Sequence, residues 1–341
     1  MNEEHKELQE SARQVMSGLG VGADEDTSWA QFVELGWLYT AVPEEAGGLG
    51  LGLSGACALY LEQGRGLGSA PFMPAMLALD AVIESKIDDK DAWLERLMSG
   101  TLVAAPLAPQ EVAFNGDCTS VSGRVAAVLS ADKAEHVLLA SDDCVALAPL
   151  TGAGVTLETR ATWDKTRRLF DVTFESVAID PRLVLARGAA AQSLASKLAM
   201  HTDFALAADS VGGAEALLEQ TVEYLQTRKQ FGRPIAMFQA LKHRCADLKA
   251  LCVASEALLI DCLNRADSAD ETESARLGMM AKQFACFVYS KVAEESVQLH
   301  GGIAMTSEYP CHLYLKRALL NEALGRPADS YGPEIAAPLL A

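Results

Sequence analysis

Apolar positions change rhythm twice along the chain, and each change marks a boundary. Residues 1 to about 100 read as helical. A charged amphipathic opening leads into SWAQFVELGWL, a glycine-rich stretch from Gly47 to Gly55, and ALYLEQG, with Pro43, Pro71 and Pro74 as punctuation. From about 101 to 185 the texture becomes short β-rich runs, RVAAVLS, HVLLAS, CVALAPL and DVTFESVAI, separated by Gly, Asp, Ser and Pro clusters. That pattern predicts a small antiparallel sheet or barrel. Beyond 186 a helical period returns and holds to the end. Ala214, Leu217, Leu218, Val222 and Leu225 make one apolar stripe; Leu241, Cys245, Leu248, Cys252, Leu259 and Cys262 make a seam broken by Ser255; Leu277, Met280, Phe284, Phe287 and Val288 make a third stripe. Such helices with short connections predict an antiparallel bundle.

Composition narrows the classes of function. The chain has 341 residues, half of them hydrophobic, and at roughly 150 residues per domain that length suits two or three domains. With 28 Lys+Arg against 46 Asp+Glu, the formal net charge is −18, a field that repels phosphate backbones and anionic lipid, so no nucleic acid and no membrane are expected as partners. The opening MNEEHKELQE carries charge from its third residue, unlike a secretory signal, and no apolar run approaches the about 18 residues of a membrane span, so a cytoplasmic location is expected. Eight cysteines are scattered without a C-x-x-C pair; they read as reduced packing residues, and no metal is expected.

Three motifs stand out. Gly50-Leu-Gly52-Leu-Ser-Gly55 spells G-x-G-x-x-G, but neither a preceding parallel strand nor an acidic residue about 20 positions later accompanies it, so it reads as a turn into a helix. TRKQFGRPIAMFQALKHRCADL ends one helix on Arg228 and Lys229, turns at Gly232-Arg-Pro234, and starts the next near Phe238 and Gln239. Cations suit a helix C-terminus, so capping alone would explain the pair. Gln298-Leu-His-Gly301-Gly302 ends a further long helix with two residues lacking Cβ, which serve a C-cap or a close ligand approach.

The second and third motifs, with QLHGGIAMTSEYPCHLYLKRA following the last, resemble the C-terminal domain of the acyl-CoA dehydrogenase family. LGW, VPEEAGGLGLG and LEQGRGLG resemble its N-terminal helical domain, and DKTRRLFDVTFESVAI the end of its central β domain. The resemblance implies an α+β multidomain protein: an N-terminal helical domain over 1–100, a central antiparallel β domain over 101–185 and a C-terminal four-helix bundle over 186–341. It implies FAD as cofactor, acyl-CoA as substrate, and an electron-transfer flavoprotein or similar acceptor as electron sink. In that family one subunit's β domain carries the flavin ring and the neighbour holds the ADP half. The positions matching the second role are Arg228, Gln230, Phe231, Phe238, Gln239, Gln298, Gly301 and Gly302, with a guanidinium apt for the diphosphate.

Departures from the family are as informative. Its usual base, a Glu about fifteen residues past Tyr309-Pro310, falls here on Gly325, followed by Arg326 and Pro327; Glu322 comes three positions early. The alternative base slot on the first long helix falls on Thr202, with Asp203 adjacent but rotated about 100° along a helix. In the β domain, LVAAPLAPQEVAF and RVAAVLSADKAEH stand where flavin-binding hydroxyls are expected. An ADP-half cluster without a ring half resembles the short, non-catalytic subunit of α2β2 acyl-CoA dehydrogenases of bacterial steroid side-chain degradation, partnered with a related catalytic chain. Two alternatives stay open at this point: a homomeric enzyme using Asp203 or Glu322, and a flavin-free protein kept for assembly or acyl-CoA binding.

Overall fold

The structure, a computed structural model, describes residues 3–340. Five helices come first: α1 (Glu3–Leu19), α2 (Glu25–Glu34), α3 (Gly52–Gly66), α4 (Phe72–Glu84) and α5 (Lys90–Met98). Asp24 starts α2 by accepting the Thr27 N–H at 3.0 Å, one of the orphan donors of a helix end. The G-x-G-x-x-G segment is the turn into α3, where Gly50 and Gly52 take positive φ of 68° and 58°.

Eight strands follow: β1 (Val103–Pro106), β2 (Gln110–Phe114), β3 (Ser120–Leu129), β4 (His136–Ala140), β5 (Cys144–Pro149), β6 (Val155–Arg160), β7 (Leu169–Ala178) and β8 (Val184–Arg187). They order as β6-β7-β3-β1-β4-β5-β8, with β2 also on β3. One pair departs from the antiparallel expectation. β1 runs parallel to β4, Val103 facing His136 and Ala104 facing Val137. Joining β1 and β4 in parallel needs a crossover, and β2 and β3 supply it.

The remainder is helical. α6 (Ala189–Thr227) spans 39 residues and ends in a two-residue hairpin, β9 (Lys229–Gln230) with β10 (Arg233–Pro234). Then come α7 (Gln239–Ala266), α8 (Glu271–His300), α9 (Cys311–Ala323) and the short α10 (Gly332–Leu340). Asp270 caps α8 through the Glu273 N–H at 2.9 Å. In α7 the predicted seam is buried from Leu248 through Cys262 and includes Ser255, while Leu241 and Cys245 are only half-buried near the hairpin. The third stripe is displaced. Leu277 and Val288 are buried, but Phe287 is 57% exposed and stacks on Phe284 at 6.3 Å. α8 instead turns Ala281, Ala285, Val288 and Val292 inward, small side chains that let it lie close to α6.

Where α3 crosses α6, backbone meets backbone. A Cβ on Gly64 would overlap the Asp209 carbonyl oxygen, and one on Gly212 would overlap that of Leu61. Only glycine fits at either position. Beside this crossing lies a buried charge cluster joining the loop before β7, α6 and α9. Arg317, wholly buried, donates to Asp164 at 2.8 Å and Asp209 at 3.0 Å; Arg167 donates to Asp209 at 2.9 Å and Asn321 at 2.8 Å.

Candidate functional site

A cavity of about 510 Å³ opens between the loop joining β1 to β2, α4, α6 and the segment after α9. Its walls include Leu107, Ala108 and Pro109 of that loop, Leu77, Leu138, Leu198, Met200 and Met279. Thr202 and Gly325, 123 positions apart by number, line this same cavity. Both slots where a base is expected therefore face one space, and neither carries a carboxylate.

Asp203 lines it too, so rotation by one residue does not remove it as expected. The cavity wraps enough of α6 to include both positions. The carboxylate is tethered on one oxygen: Oδ1 accepts the Tyr331 hydroxyl at 2.6 Å and lies 3.6 Å from the Lys282 ammonium. Lys282 is wholly buried and donates to the carbonyls of Leu324 at 2.5 Å and Arg326 at 2.6 Å, and to Tyr331 at 3.3 Å. Burial pushes the Asp203 carboxyl up, opposed by Lys282 and Tyr331. Burial pushes Lys282 down, opposed by Asp203. The ammonium also lies beside the base slot: a Cβ on Gly325, which sits at φ 70°, would come within 2.9 Å of Lys282 Nζ, the far end of a flexible side chain.

Glu322 is elsewhere. It is half-buried, absent from the cavity wall, and its Oε2 accepts the Ser290 hydroxyl at 3.2 Å. Thr202 turns its hydroxyl back to the Leu198 carbonyl at 2.8 Å. Next to it, His201 is buried between the Tyr60 hydroxyl at 2.9 Å and Asp80 at 2.6 Å, a chain that satisfies both ring nitrogens.

The other predicted residues gather at the far end of α6. Arg228 caps that helix through its own N–H to the Tyr224 carbonyl at 2.8 Å, and its guanidinium is exposed with no partner among the described residues. Tyr224 stacks on His300 at 4.5 Å, which brings Gln298, Gly301 and Gly302 at the end of α8 beside the end of α6. Phe231, at the hairpin tip, has φ 53° and is 89% exposed. Its ring meets Phe238 edge-on at 6.0 Å, and Arg233 covers Phe238 at 4.3 Å. Gln230, Gln239, Gln298, Gly301 and Gly302 are all exposed.

Lys282 and Tyr331 were not singled out by sequence, and Arg326 only as the residue after the empty base slot. A lone lysine inside MMAKQFACFV was the one available signal, since a charge on a buried helix face needs a partner. All eight thiols are free and seven are buried; burial raises Cys252 and Cys262 to about 11 and Cys286 to about 12. Among the described residues no helix is long and apolar enough to cross a membrane.

Sequence and structure comparisons converge on one group. The sequence model for the acyl-CoA dehydrogenase N-terminal domain matches residues 2–101, and that for its C-terminal domain matches residues 192–325. The acyl-CoA dehydrogenase IpdE2 of Mycobacterium tuberculosis is 33% identical over 86% of this chain and 80% of its own. FadE28 from the same organism is 26% identical over 89% and 90%. A variant of the Tcur3481–Tcur3483 steroid acyl-CoA dehydrogenase superposes with a TM-score of 0.87 at 27% identity, covering 99% of both chains. The ChsE4–ChsE5 complex from Mycobacterium tuberculosis superposes with a TM-score of 0.89 at 21% identity, covering 100% and 98%, a likeness of fold.

Proposed function

Because this chain belongs to the acyl-CoA dehydrogenase family, whose members are FAD-dependent oxidoreductases, we propose that it is the non-catalytic half of a heteromeric enzyme and completes a partner's flavin site. The observation that carries this reading is a cavity whose two expected base slots lack a carboxylate, together with exposed residues at the positions that match the family's ADP half. Thr202 and Gly325 occupy the base slots, while Arg228 stands unpartnered at an exposed helix end. When bound, FAD supplies a hydride acceptor for α,β-dehydrogenation of an acyl-CoA thioester.

The two halves of that cofactor meet different chemistry here. At the ADP half the fit is good: Arg228 offers a planar fork to a diphosphate, Phe231 and Phe238 offer apolar faces, and Gly301 and Gly302 leave the end of α8 bare. At the ring half it is poor, because Leu107 and Ala108 line the cavity with hydrocarbon. A related catalytic chain with its own base and β domain would supply what is missing. The Tcur3481–Tcur3483 and ChsE4–ChsE5 assemblies, each of two different chains, support a heteromer, and the steroid substrate of the former supports a steroid side-chain acyl-CoA as substrate class. An electron-transfer flavoprotein or similar protein would reoxidise the flavin.

Asp203 on the cavity wall is the observation a self-sufficient enzyme would rest on. Tyr331 at 2.6 Å and Lys282 at 3.6 Å hold that carboxylate by Oδ1, while burial leaves it easier to protonate than an ordinary carboxylate. The test is co-expression with the paralogue and measurement of flavin per heterodimer, expected to be one. Arg228→Ala should lower retained FAD and Arg228→Lys should restore part of it, since an ammonium lacks the planar fork. Unchanged flavin in both variants, or acyl-CoA-dependent bleaching by this chain alone that Asp203→Asn abolishes, would overturn the proposal.

A further inference from the structure

The cavity in this half is well formed, although the reading above gives it no catalytic work. Six apolar side chains from five elements converge on it: Leu77 from α4, Leu107 from the loop after β1, Leu138 from β4, Leu198 and Met200 from α6, and Met279 from α8. Its volume of about 510 Å³ lies within the roughly 300–1,000 Å³ of small-molecule sites. Of the buried polar side chains in the wall, Thr202, Asp203 and Tyr331, one leaves an atom without a partner. Asp203 is 94% buried, since its relative exposure is 6%, and Oδ1 is taken by Tyr331 and Lys282. Oδ2 has no hydrogen-bond partner among the described residues, yet it is not among the side-chain atoms closed off from solvent. Its acceptor capacity is unused, on a residue that lines the cavity.

We propose that this cavity binds an uncharged, largely apolar alcohol whose hydroxyl donates to Asp203 Oδ2. The proposal rests on the non-catalytic reading of this half, under which Asp203 removes no proton from an acyl-CoA. Charge decides against an anion. Asp203 is balanced by Lys282 and Arg326 by Glu334, bonded at 2.6 Å, which leaves Asp142 as the unbalanced charge on the wall. A carboxylate or phosphate would meet that negative charge without a free cation. A pure hydrocarbon would strip water from Oδ2 and leave a carboxylate oxygen unsatisfied, which is costly in an apolar setting. A hydroxyl reproduces the water's bond while the hydrocarbon body covers the leucines and methionines. The remaining polar groups lie nearer solvent: Gln110, whose carbonyl oxygen accepts the Ala140 N–H at 3.0 Å, and Ser196 are half-buried, and Gln192 and Asp142 are exposed.

Three rigid probes of one shape separate these terms: 1-adamantanol, its methyl ether and 1-adamantanecarboxylate, titrated calorimetrically into the full chain co-purified with its paralogue. The alcohol should bind at least tenfold more tightly than the ether, and the carboxylate should bind more weakly than either. Ala108→Trp, at the half-buried lip of the loop after β1, should abolish alcohol binding by filling the mouth without touching the core. Asp203→Asn, with Tyr331 still bonded to the carbonyl oxygen, presents a donor to the cavity and should erase the preference for alcohol over ether. Should that variant fail to fold, the wild-type probe series and Ala108→Trp decide the matter alone. Equal affinity for the three probes, no binding by any, or alcohol binding untouched by Ala108→Trp would overturn the proposal. None of these readouts uses flavin, so they stand or fall separately from the flavin-retention test of the non-catalytic reading.

Discussion

Replacing Arg317 by methionine should be among the most damaging single changes available to this fold. The guanidinium is wholly buried and holds Asp164 at 2.8 Å, Asp209 at 3.0 Å and the Gly68 carbonyl at 3.1 Å, besides the Thr166 hydroxyl. Without it the cluster keeps two aspartates and one arginine. Asp209 retains Arg167 and Asn321, but Asp164 is left with the N–H and hydroxyl of Thr166 at 2.8 and 2.6 Å. Breaking a buried ion pair in this way costs about 3–5 kcal/mol, because an uncompensated charge stays behind. Arg317→Met with Asp164→Asn removes that excess charge and should recover more than half of the loss. The pH dependence carries its own sign. Burial pushes the Asp164 carboxyl up, but Arg317, Thr166 and Arg167 outweigh it and leave the pKa below the ordinary value. In the native chain its contribution is therefore present above the unfolded pKa of about 3.9 and is lost as pH falls through the lower folded value. In Arg317→Met the same carboxyl is buried without its guanidinium, so its pKa rises above the unfolded value. The deficit relative to wild type should be full at pH 7 and shrink on acidification through that raised pKa. Urea unfolding followed by circular dichroism at pH 7 and at about pH 5 measures both quantities. A loss under about 1 kcal/mol at pH 7, a deficit that widens on acidification, or a double variant no better than the single would refute the account.

Leu248→Ala, at a seam position 3% exposed, should cost roughly 2–5 kcal/mol by the same assay, and a loss within the scatter of surface substitutions would remove it from the core. Gly64→Ala should destabilise by at least about 1–3 kcal/mol, because its Cβ has nowhere to go except into the Asp209 carbonyl; a neutral result would mean that α3 and α6 can separate. Glu322→Gln should leave turnover of the assembled enzyme within a few-fold of wild type, since this side chain is held by Ser290 away from the cavity; a hundredfold loss would restore it as a base. Native-state alkylation should reach Cys245 first, because burial raises the other thiols more strongly or hides them; rapid loss of Cys252 or Cys262 at pH 8, read by peptide mapping, would contradict their packing role.

Periodicity carried the large features of this molecule because burial of one face is a local property. The switch from helical to alternating pattern near residue 101 and back near 186 coincides with β1 and α6, and the seam from Leu248 to Cys262 is buried as the spacing requires. What depended on distant partners was illegible. The parallel contact of β1 with β4 arises from a pairing across more than thirty residues, and no residue of either strand announces it. Phe287 was placed on a buried stripe because aromatic bulk normally marks a core, whereas α8 packs through alanine and valine to come close to α6. Of the candidate site, the motif around Arg228 was legible since its residues are nearly contiguous. The cavity was half legible: Thr202 and Gly325 were placed by counting, but the tethering of Asp203 by Lys282 and Tyr331 joins positions up to 128 residues apart.

The 39 residues of α6 make a single rod, and its length has a mechanical consequence. Asp203 in its first half and Arg228 at its end are separated by roughly 38 Å of helix at the usual rise. Gly212 lies between them, gripped where the backbone of α3 rests directly on the backbone of α6, and Asp209 is locked beside it. A rod clamped at mid-length cannot slide. A tilt of about 5° about that clamp would move its Arg228 end by about 2 Å over the roughly 24 Å beyond it, and would carry the end of α8 along, since Tyr224 stacks on His300 there. The hairpin carried on that end rides with it.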